Sequence, residues 1–278
     1  MTSSGARALR ALQVVNAADE PLGVTAIAGA IDTLPGTAYR SLDALERGRF
    51  VERYRASTLY QTGPAATRLR QTLLAQFPLR NLATPFLRRL AVAASDTVSL
   101  TVPVGWHALR LVVIAGTNSV RGRVDTGLAG LLEESIAGRT ILSDFDKNMM
   151  HAYSADIAPL DGADRASKEL LIALREIAEQ GYALEMVEGA GRSAIAMPVR
   201  HEGRVVAAVA IDGPVVKTGG ENVEAEIAAW RAVVAEIEDA AAQTKRFSAT
   251  PFGHLDPAAV NHALVGRPEG GDDEDDAD

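Results

Sequence analysis

Apolar residues recur at helical spacing from the start of the chain. Ala8, Leu9, Leu12 and Val15 follow the polar run Thr2-Ser3-Ser4, which predicts an amphipathic helix ending before Asp19-Glu20-Pro21. After a turn at Pro21-Leu22-Gly23, Thr25 is placed to cap a short helix whose apolar face is Ile27, Ala28 and Ile31. Asp32-Thr33-Leu34-Pro35 interrupts the pattern, and a third helix follows with Ala38, Leu42 and Leu45 inside. At about 100° per residue this turns Gly36, Arg40 and Arg47 outward, with Thr37 and Tyr39 on the flanks. Gly48 stops that helix. Phe50-Val51-Glu52-Arg53 and Thr58-Leu59-Tyr60-Gln61 then read as two short strands around a loop holding Arg53, Tyr54 and Arg55.

From Gly63-Pro64 a helical stripe runs through Leu69, Leu73, Leu74 and Phe77, and a second runs through Leu82, Phe86, Leu87 and Leu90. Apolar residues left over on such a connection favour pairing with a second copy of the chain. Near Asp96 the period changes to two: Val98, Leu100 and Val102 alternate with Thr97, Ser99 and Thr101, and Leu111 to Ala115 form a second strand. A helix is expected around Leu128 to Ser135 and another from Ser167 to Gln180, stopped by Gly181. Tyr182 to Val187, Ser193 to Val199 and Val205 to Ile211 read as strands. A last helix carries Val223, Ile227, Trp230, Val234 and Ile237 on one face, with acids at its start and Lys245-Arg246 at its end. Strands, helices, strands and a closing helix define an α+β domain with an antiparallel sheet.

Three helices followed by a basic hairpin is the order of a winged helix-turn-helix, in which the last helix enters the major groove and the hairpin touches the backbone. Charge supports that order. Residues 1 to 90 hold 12 arginines against 6 acids, a balance of +6, whereas residues 91 to 278 hold 16 basic against 30 acidic residues, or −14. Only the first part is suited to a polyanion. Thr25, Gly36, Thr37, Tyr39, Arg40, Arg53 and Arg55 are the expected DNA contacts, with Arg40 long enough to reach guanine and Gly36 permitting close approach. Taken singly, Arg40 is better explained as a solvated helix-face residue; the turn, the hairpin arginines and the local charge together favour DNA.

Composition narrows the remaining choices. The 278 residues are 47% hydrophobic, enough for two cored domains, and hold no cysteine, which removes disulfide scaffolds and thiolate metal sites. No apolar run approaches the ~18 residues that span a bilayer, so a soluble cytoplasmic protein without membrane contact is expected. His107, His151, His201, His254 and His262 are scattered, no nucleophile elbow or P-loop occurs, and Gly189-Ala190-Gly191-Arg192-Ser193-Ala194 precedes a strand where a dinucleotide fingerprint would open a helix. No enzyme activity, cofactor or metal is expected. Residues after Phe247 read as an irregular extension, and seven of the ten residues from Glu269 to Asp278 are acidic, a tail suited to solubility or to competing with DNA for the basic hairpin.

Two groups of motifs resemble the isocitrate lyase regulator (IclR) family of bacterial transcription factors. Ala6-Arg7-Ala8-Leu9-Arg10-Ala11-Leu12, Val24-Thr25-Ala26-Ile27-Ala28 and Leu34-Pro35-Gly36-Thr37-Ala38-Tyr39-Arg40-Ser41-Leu42 are similar to its winged-helix domain. Gly181-Tyr182-Ala183, Ala196-Met197-Pro198-Val199 and Val206-Ala207-Ala208-Val209-Ala210-Ile211-Asp212-Gly213-Pro214 are similar to its GAF-like effector domain. The resemblance implies a winged helix over 1–66, linker helices and a dimer contact over 67–95, a GAF-like effector and oligomerisation domain over 96–246, and an extension over 247–278. It also implies a dimer or tetramer on palindromic operator DNA and a small-molecule effector, an organic acid or aromatic metabolite in many members. A ligand-independent regulator, or a protein-interaction module whose second domain is only a scaffold, remains the alternative. Effector positions carry over onto Glu185, Ser193, Ala210 and Asp212, with Thr126, Gly127 and Leu128 at the segment entering the sensing helix. Ala210 and Asp212 replace the family's two serines, and Thr126-Gly127-Leu128-Ala129-Gly130-Leu131 departs from its helix-entry motif. Acids at Glu185 and Asp212 disfavour a carboxylate ligand unless an arginine such as Arg192 or Arg123 offsets them, which leaves a neutral or hydroxyl-bearing ligand, or none.

Overall fold

The computed structural model describes residues 3–117, 126–161, 168–187, 192–214 and 223–244. The acidic tail, the extension after Phe247, Arg123, Lys245-Arg246 and the side chains of Leu128 and Arg192 lie outside the described residues. The chain divides into two units, Met1–Ala75 and Gln76–Asp278.

In the first unit α1 (Ser4–Ala17) begins where the Ser3 hydroxyl accepts the Ala6 amide at 3.2 Å, satisfying one of the free donors of the first turn. A two-residue strand, β1 (Leu22–Gly23), leads directly into α2 (Val24–Ala30). Gly23 therefore occupies the cap, and Thr25, expected there, lies exposed inside the first turn. Asp32 adopts φ 49° in the tight turn that follows, and Pro35 takes the first position of α3 (Pro35–Arg47), where its missing N–H is harmless. β2 (Val51–Arg53) and β3 (Leu59–Thr62) form the hairpin, with β1 added antiparallel on the far side of β3. Ala11, Val15, Ile27, Ala28, Ala38, Leu42, Val51 and Tyr60 make the core. α4 (Pro64–Ala75) closes this unit and buries none of its residues.

The second unit is built on a six-stranded antiparallel sheet ordered β6-β5-β4-β9-β8-β7. Its strands are β4 (Thr97–Val104), β5 (His107–Ile114), β6 (Gly127–Leu131), β7 (Ala183–Val187), β8 (Arg192–His201) and β9 (Arg204–Pro214). Both faces of β4 are buried through most of its length, so the sheet requires cover on two sides. α5 (Pro78–Ala94) and α9 (Val223–Gln243) cover one side with Leu79, Leu87 and Leu90 and with Ile227, Trp230, Val234 and Ile237. α6 (Ile136–Leu142), α7 (Lys147–Asp161) and α8 (Lys168–Gln180) cover the other with Ile141, Leu142, Tyr153, Ile157, Leu174 and Ile177. Alanines at 183, 196, 208 and 210 face this second layer, and their small side chains let α6 lie close to the sheet.

Two sequence expectations change here. The helix expected from Leu128 to Ser135 is instead the edge strand β6 and a single tight turn at Leu132–Glu134; Gly127 and Gly130 stand at φ 132° and 88°, which a right-handed helix does not allow. The linker stripe is also divided: Phe77, Leu87 and Leu90 are buried within the second unit, and only Leu69 and Leu73 of α4 are left exposed.

Candidate nucleic-acid interface and a second-unit cavity

On α3 the inward residues Ala38, Ser41, Leu42 and Leu45 are buried, which leaves Gly36, Tyr39 and Arg40 exposed and Thr37 half-buried on the leading turns. Arg40 Nη2 donates to Thr37 Oγ1 at 3.3 Å, one turn back on the same helix. The arginines around it differ in their commitments. Arg47 pairs with Asp43 across one turn, and Arg53 Nε lies 3.3 Å from Glu46 Oε1 while its guanidinium covers the Tyr60 ring at 5.1 Å. Burial raises the Tyr60 phenol above its ordinary pKa, so it stays neutral beneath Arg53. Arg55, at φ 46° in the hairpin turn, stacks on Tyr54 at 5.1 Å. Arg40 and Arg55 have no carboxylate partner among the described residues. Thr25 is exposed on α2.

Between the sheet and the start of α6 the second unit holds a cavity of about 180 Å³. Strand register explains its floor: Glu185, Ala194, Asp212 and Thr97 stand side by side across β7, β8, β9 and β4, and Ala183, Ala196, Ala210 and Ser99 form the next row on the same face. Ser193 borders the cavity from the intervening row, between Met186 and Gly213, so alternation makes Ala194 the β8 residue directed at the floor. Glu134, Ser135, Ile136 and Ala137 form the roof, and Arg110 enters from β5. Ser135 caps α6 by accepting the Gly138 amide at 3.1 Å. Arg139, one turn on, pairs with Glu185 and donates to the Glu133 carbonyl at 3.0 Å.

Glu185, Ser193, Ala210 and Asp212 thus border one cavity, whereas Thr126 and Gly127, at the approach and start of edge strand β6, are not among its described lining residues, and the Leu128 side chain lies outside the described residues. Arg110, Arg139, Ser99 and Glu134 were not anticipated. Arg110 falls just before the strand expected at Leu111 to Ala115, whereas β5 in fact begins at His107, and Arg139 meets Glu185 across 46 residues of chain. Only the threonine-serine alternation at Thr97, Ser99 and Thr101 signalled a polar patch on the sheet.

A helix-turn-helix with a basic hairpin, followed by an antiparallel sheet enclosing a small cavity, defines a DNA-binding regulator with a sensing domain. The comparisons agree. The IclR helix-turn-helix domain matches residues 4–55, and the bacterial transcriptional regulator IclR C-terminal domain matches residues 71–239. The chain belongs to the IclR family of bacterial transcriptional regulators. No curated protein matches it. Among solved structures it is similar to an IclR family transcriptional regulator from Brucella abortus, with 24% identity, 86% of this chain and 93% of that chain covered, and a TM-score of 0.66. Thermotoga maritima IclR is 22% identical over 84% of this chain and 95% of its own, with a TM-score of 0.62. An IclR homologue from Microbacterium hydrocarbonoxydans, crystallised in complex with 4-hydroxybenzoate, is 21% identical over 86% of this chain and 98% of its own, with a TM-score of 0.69. At these identities the likeness is one of fold. No helix among the described residues is long and apolar enough to cross a membrane.

Proposed function

We propose that this regulator acts in the cytoplasm by binding operator DNA as a dimer, or as a dimer of dimers, and that a small molecule seated between α6 and the sheet alters that binding. Residues 1–66 deliver the DNA contact: α3 enters the major groove with Gly36, Thr37, Tyr39 and Arg40, while Arg53, Arg55 and Thr25 hold the flanking backbone. Arg40 carries this reading. It is exposed on the leading half of α3, braced by Thr37 and unpaired with any described carboxylate, whereas its neighbours Arg47 and Arg53 are each engaged by an acid. The second unit, within 96–246, is the sensor, supported by its cavity and by the 4-hydroxybenzoate complex of the Microbacterium hydrocarbonoxydans homologue. Leu69 and Leu73, exposed on a helix that buries nothing, support pairing of two copies.

Binding measured on an operator selected from random duplexes tests this. Affinity should fall ~10-fold or more as salt rises a few-fold, because phosphate contacts release counterions. Arg40→Ala should lose about 1 to 3 kcal/mol on the operator and much less on random duplex. Equal losses on both would make Arg40 a phosphate contact, and salt-independent binding or no selected sequence would refute DNA recognition by α3.

A further inference from the structure

Regular alternation along β5 would turn Arg110 away from the cavity. Ser99 and Thr101 of β4 pair with Ala210 and Ala208, which face α6, so Leu100 and Val102 face the opposite layer. From Val98 to Leu100 the β4–β5 register is regular and sets Leu100 opposite Val112; continued unchanged it would set Arg110 opposite Val102, on the far face. Instead Thr101 meets Arg110. Leu111 is therefore an extra residue on β5, a β-bulge that moves Arg110 to the cavity face. The Leu111 carbonyl accepts Arg80 Nε of α5 at 3.3 Å, so the bulge is held from the opposite layer.

The charge delivered in this way is unanswered. Arg110 is half-buried, lines the cavity and has no hydrogen-bond or ion-pair partner among the described residues. The lining acids differ: Glu185 holds Arg139, Glu134 Oε2 accepts the Leu131 amide at 2.9 Å, and Asp212 has a partner of its own. Arg110 also stands away from two of them, on β5, two strands over from Asp212 and four from Glu185. Opposite it, Thr101 is 1% exposed, and its Oγ1 is buried without a hydrogen-bond partner among the described residues. On its other side β6 contributes only Gly127. A guanidinium has five donors and no acceptor, so burial without a partner takes away hydration that only an incoming acceptor restores.

We propose that Arg110 is the seat of the effector's acid group: the cavity takes a small monocarboxylate whose two oxygens face the Arg110 guanidinium, and the bulge at Leu111 is what puts that seat in the cavity. This inference rests on the reading of the cavity as the effector site. The planar fork of an arginine matches both oxygens of a carboxylate, whereas the amide of the same shape offers one acceptor and turns an NH2 toward the other donor. The volume of about 180 Å³ suits a ligand of one ring or less.

Calorimetry and thermal shift on the full chain test this with acetate, butanoate, benzoate and 4-hydroxybenzoate, each measured beside its own primary amide. Where a pair binds, the acid should bind at least ~10-fold more tightly than the amide, a difference of about 1.4 kcal/mol. Arg110→Gln should bring acid and amide level, and Arg110→Lys, which keeps the charge without the fork, should retain only part of the preference. The ratio is taken within one protein, so a general loss of stability does not imitate its collapse; if Arg110→Gln fails to fold, Arg110→Lys and the unaltered chain decide. An acid preference that survives Arg110→Gln, or amides that bind as tightly as their acids, overturns the inference and leaves the effector site standing. No binding of any of the eight compounds at millimolar concentration overturns both.

Discussion

Arg139 of α6 reaches down to Glu185 of β7, so one ion pair ties the helix above the cavity to the edge strand at its floor. Among the described residues β7 is hydrogen-bonded on one side, to β8, and this tether helps hold it in place. The Arg139 side chain is 25% exposed and that of Glu185 42%, which places the pair between a solvated and a buried one. Arg139→Gln should cost about 1 kcal/mol in urea unfolding. Adding Glu185→Gln should recover part of that, because the orphaned carboxylate is then removed. A double-mutant cycle giving no coupling energy would show that the two ends are held independently.

Asp43 and Arg47 form an opposed pair on the outer surface of α3. Asp43→Ala releases a guanidinium beside the proposed groove contact and removes a charge that repels phosphate. Affinity for random duplex should rise, and the slope of log affinity against log salt should steepen by about 0.9, the value for one added phosphate contact. Fluorescence anisotropy across a salt series checks it. Weaker binding would instead give Asp43 a direct role in recognition.

The helix-turn-helix was legible because its signals are local: a period of 3.6 at Ala38, Leu42 and Leu45, Pro35 at the start and Gly48 at the stop. The cap at Thr25 was misplaced because two residues, Leu22 and Gly23, are too few to announce a strand, yet their pairing with β3 sets where α2 begins. Residues 127–131 alternate too weakly to separate strand from helix, and positive φ at Gly127 and Gly130 decided the matter. In the cavity, the family resemblance brought Glu185, Ser193, Ala210 and Asp212 to one place. It missed Arg110 and Arg139, since their meaning depends on which rows of the sheet lie side by side, and that follows from register rather than composition.

His107 opens β5 opposite Leu131, and its Nδ1 is buried without a hydrogen-bond partner among the described residues. Burial lowers its pKa below 6.5, with Glu134 opposing the shift. The unfolded chain therefore takes up this proton first as pH falls, so stability drops as pH passes below 6.5 and levels off once the folded form is protonated as well. His107→Gln should remove that increment. Urea midpoints of the two proteins, compared from well above to well below 6.5, should converge toward acid; a constant difference would mean that His107 titrates alike in both states.

Gly138 and Gly29 are both helical glycines, and they should respond oppositely to the same substitution. A Cβ at Gly138 would collide with the Leu132 carbonyl, in a turn whose Leu132 amide is fixed by the Trp106 carbonyl at 2.9 Å. Nothing lies within 4 Å of a Cβ at Gly29, exposed on α2. Gly138→Ala must push α6 away from the turn that roofs the cavity, at a cost of about 1 to 3 kcal/mol. Gly29→Ala should stabilise the first unit by about 0.5 to 1 kcal/mol, because alanine gives up less backbone entropy in a helix. Both tryptophans, Trp106 and Trp230, belong to the second unit, so their fluorescence follows that unit while circular dichroism follows both. Gly138→Ala should move the fluorescence transition to lower urea, and Gly29→Ala should leave it in place while shifting the remaining dichroism upward. Tolerance of Gly138→Ala would mean that the roof of the cavity can move, and would also predict a larger ligand than the present volume admits.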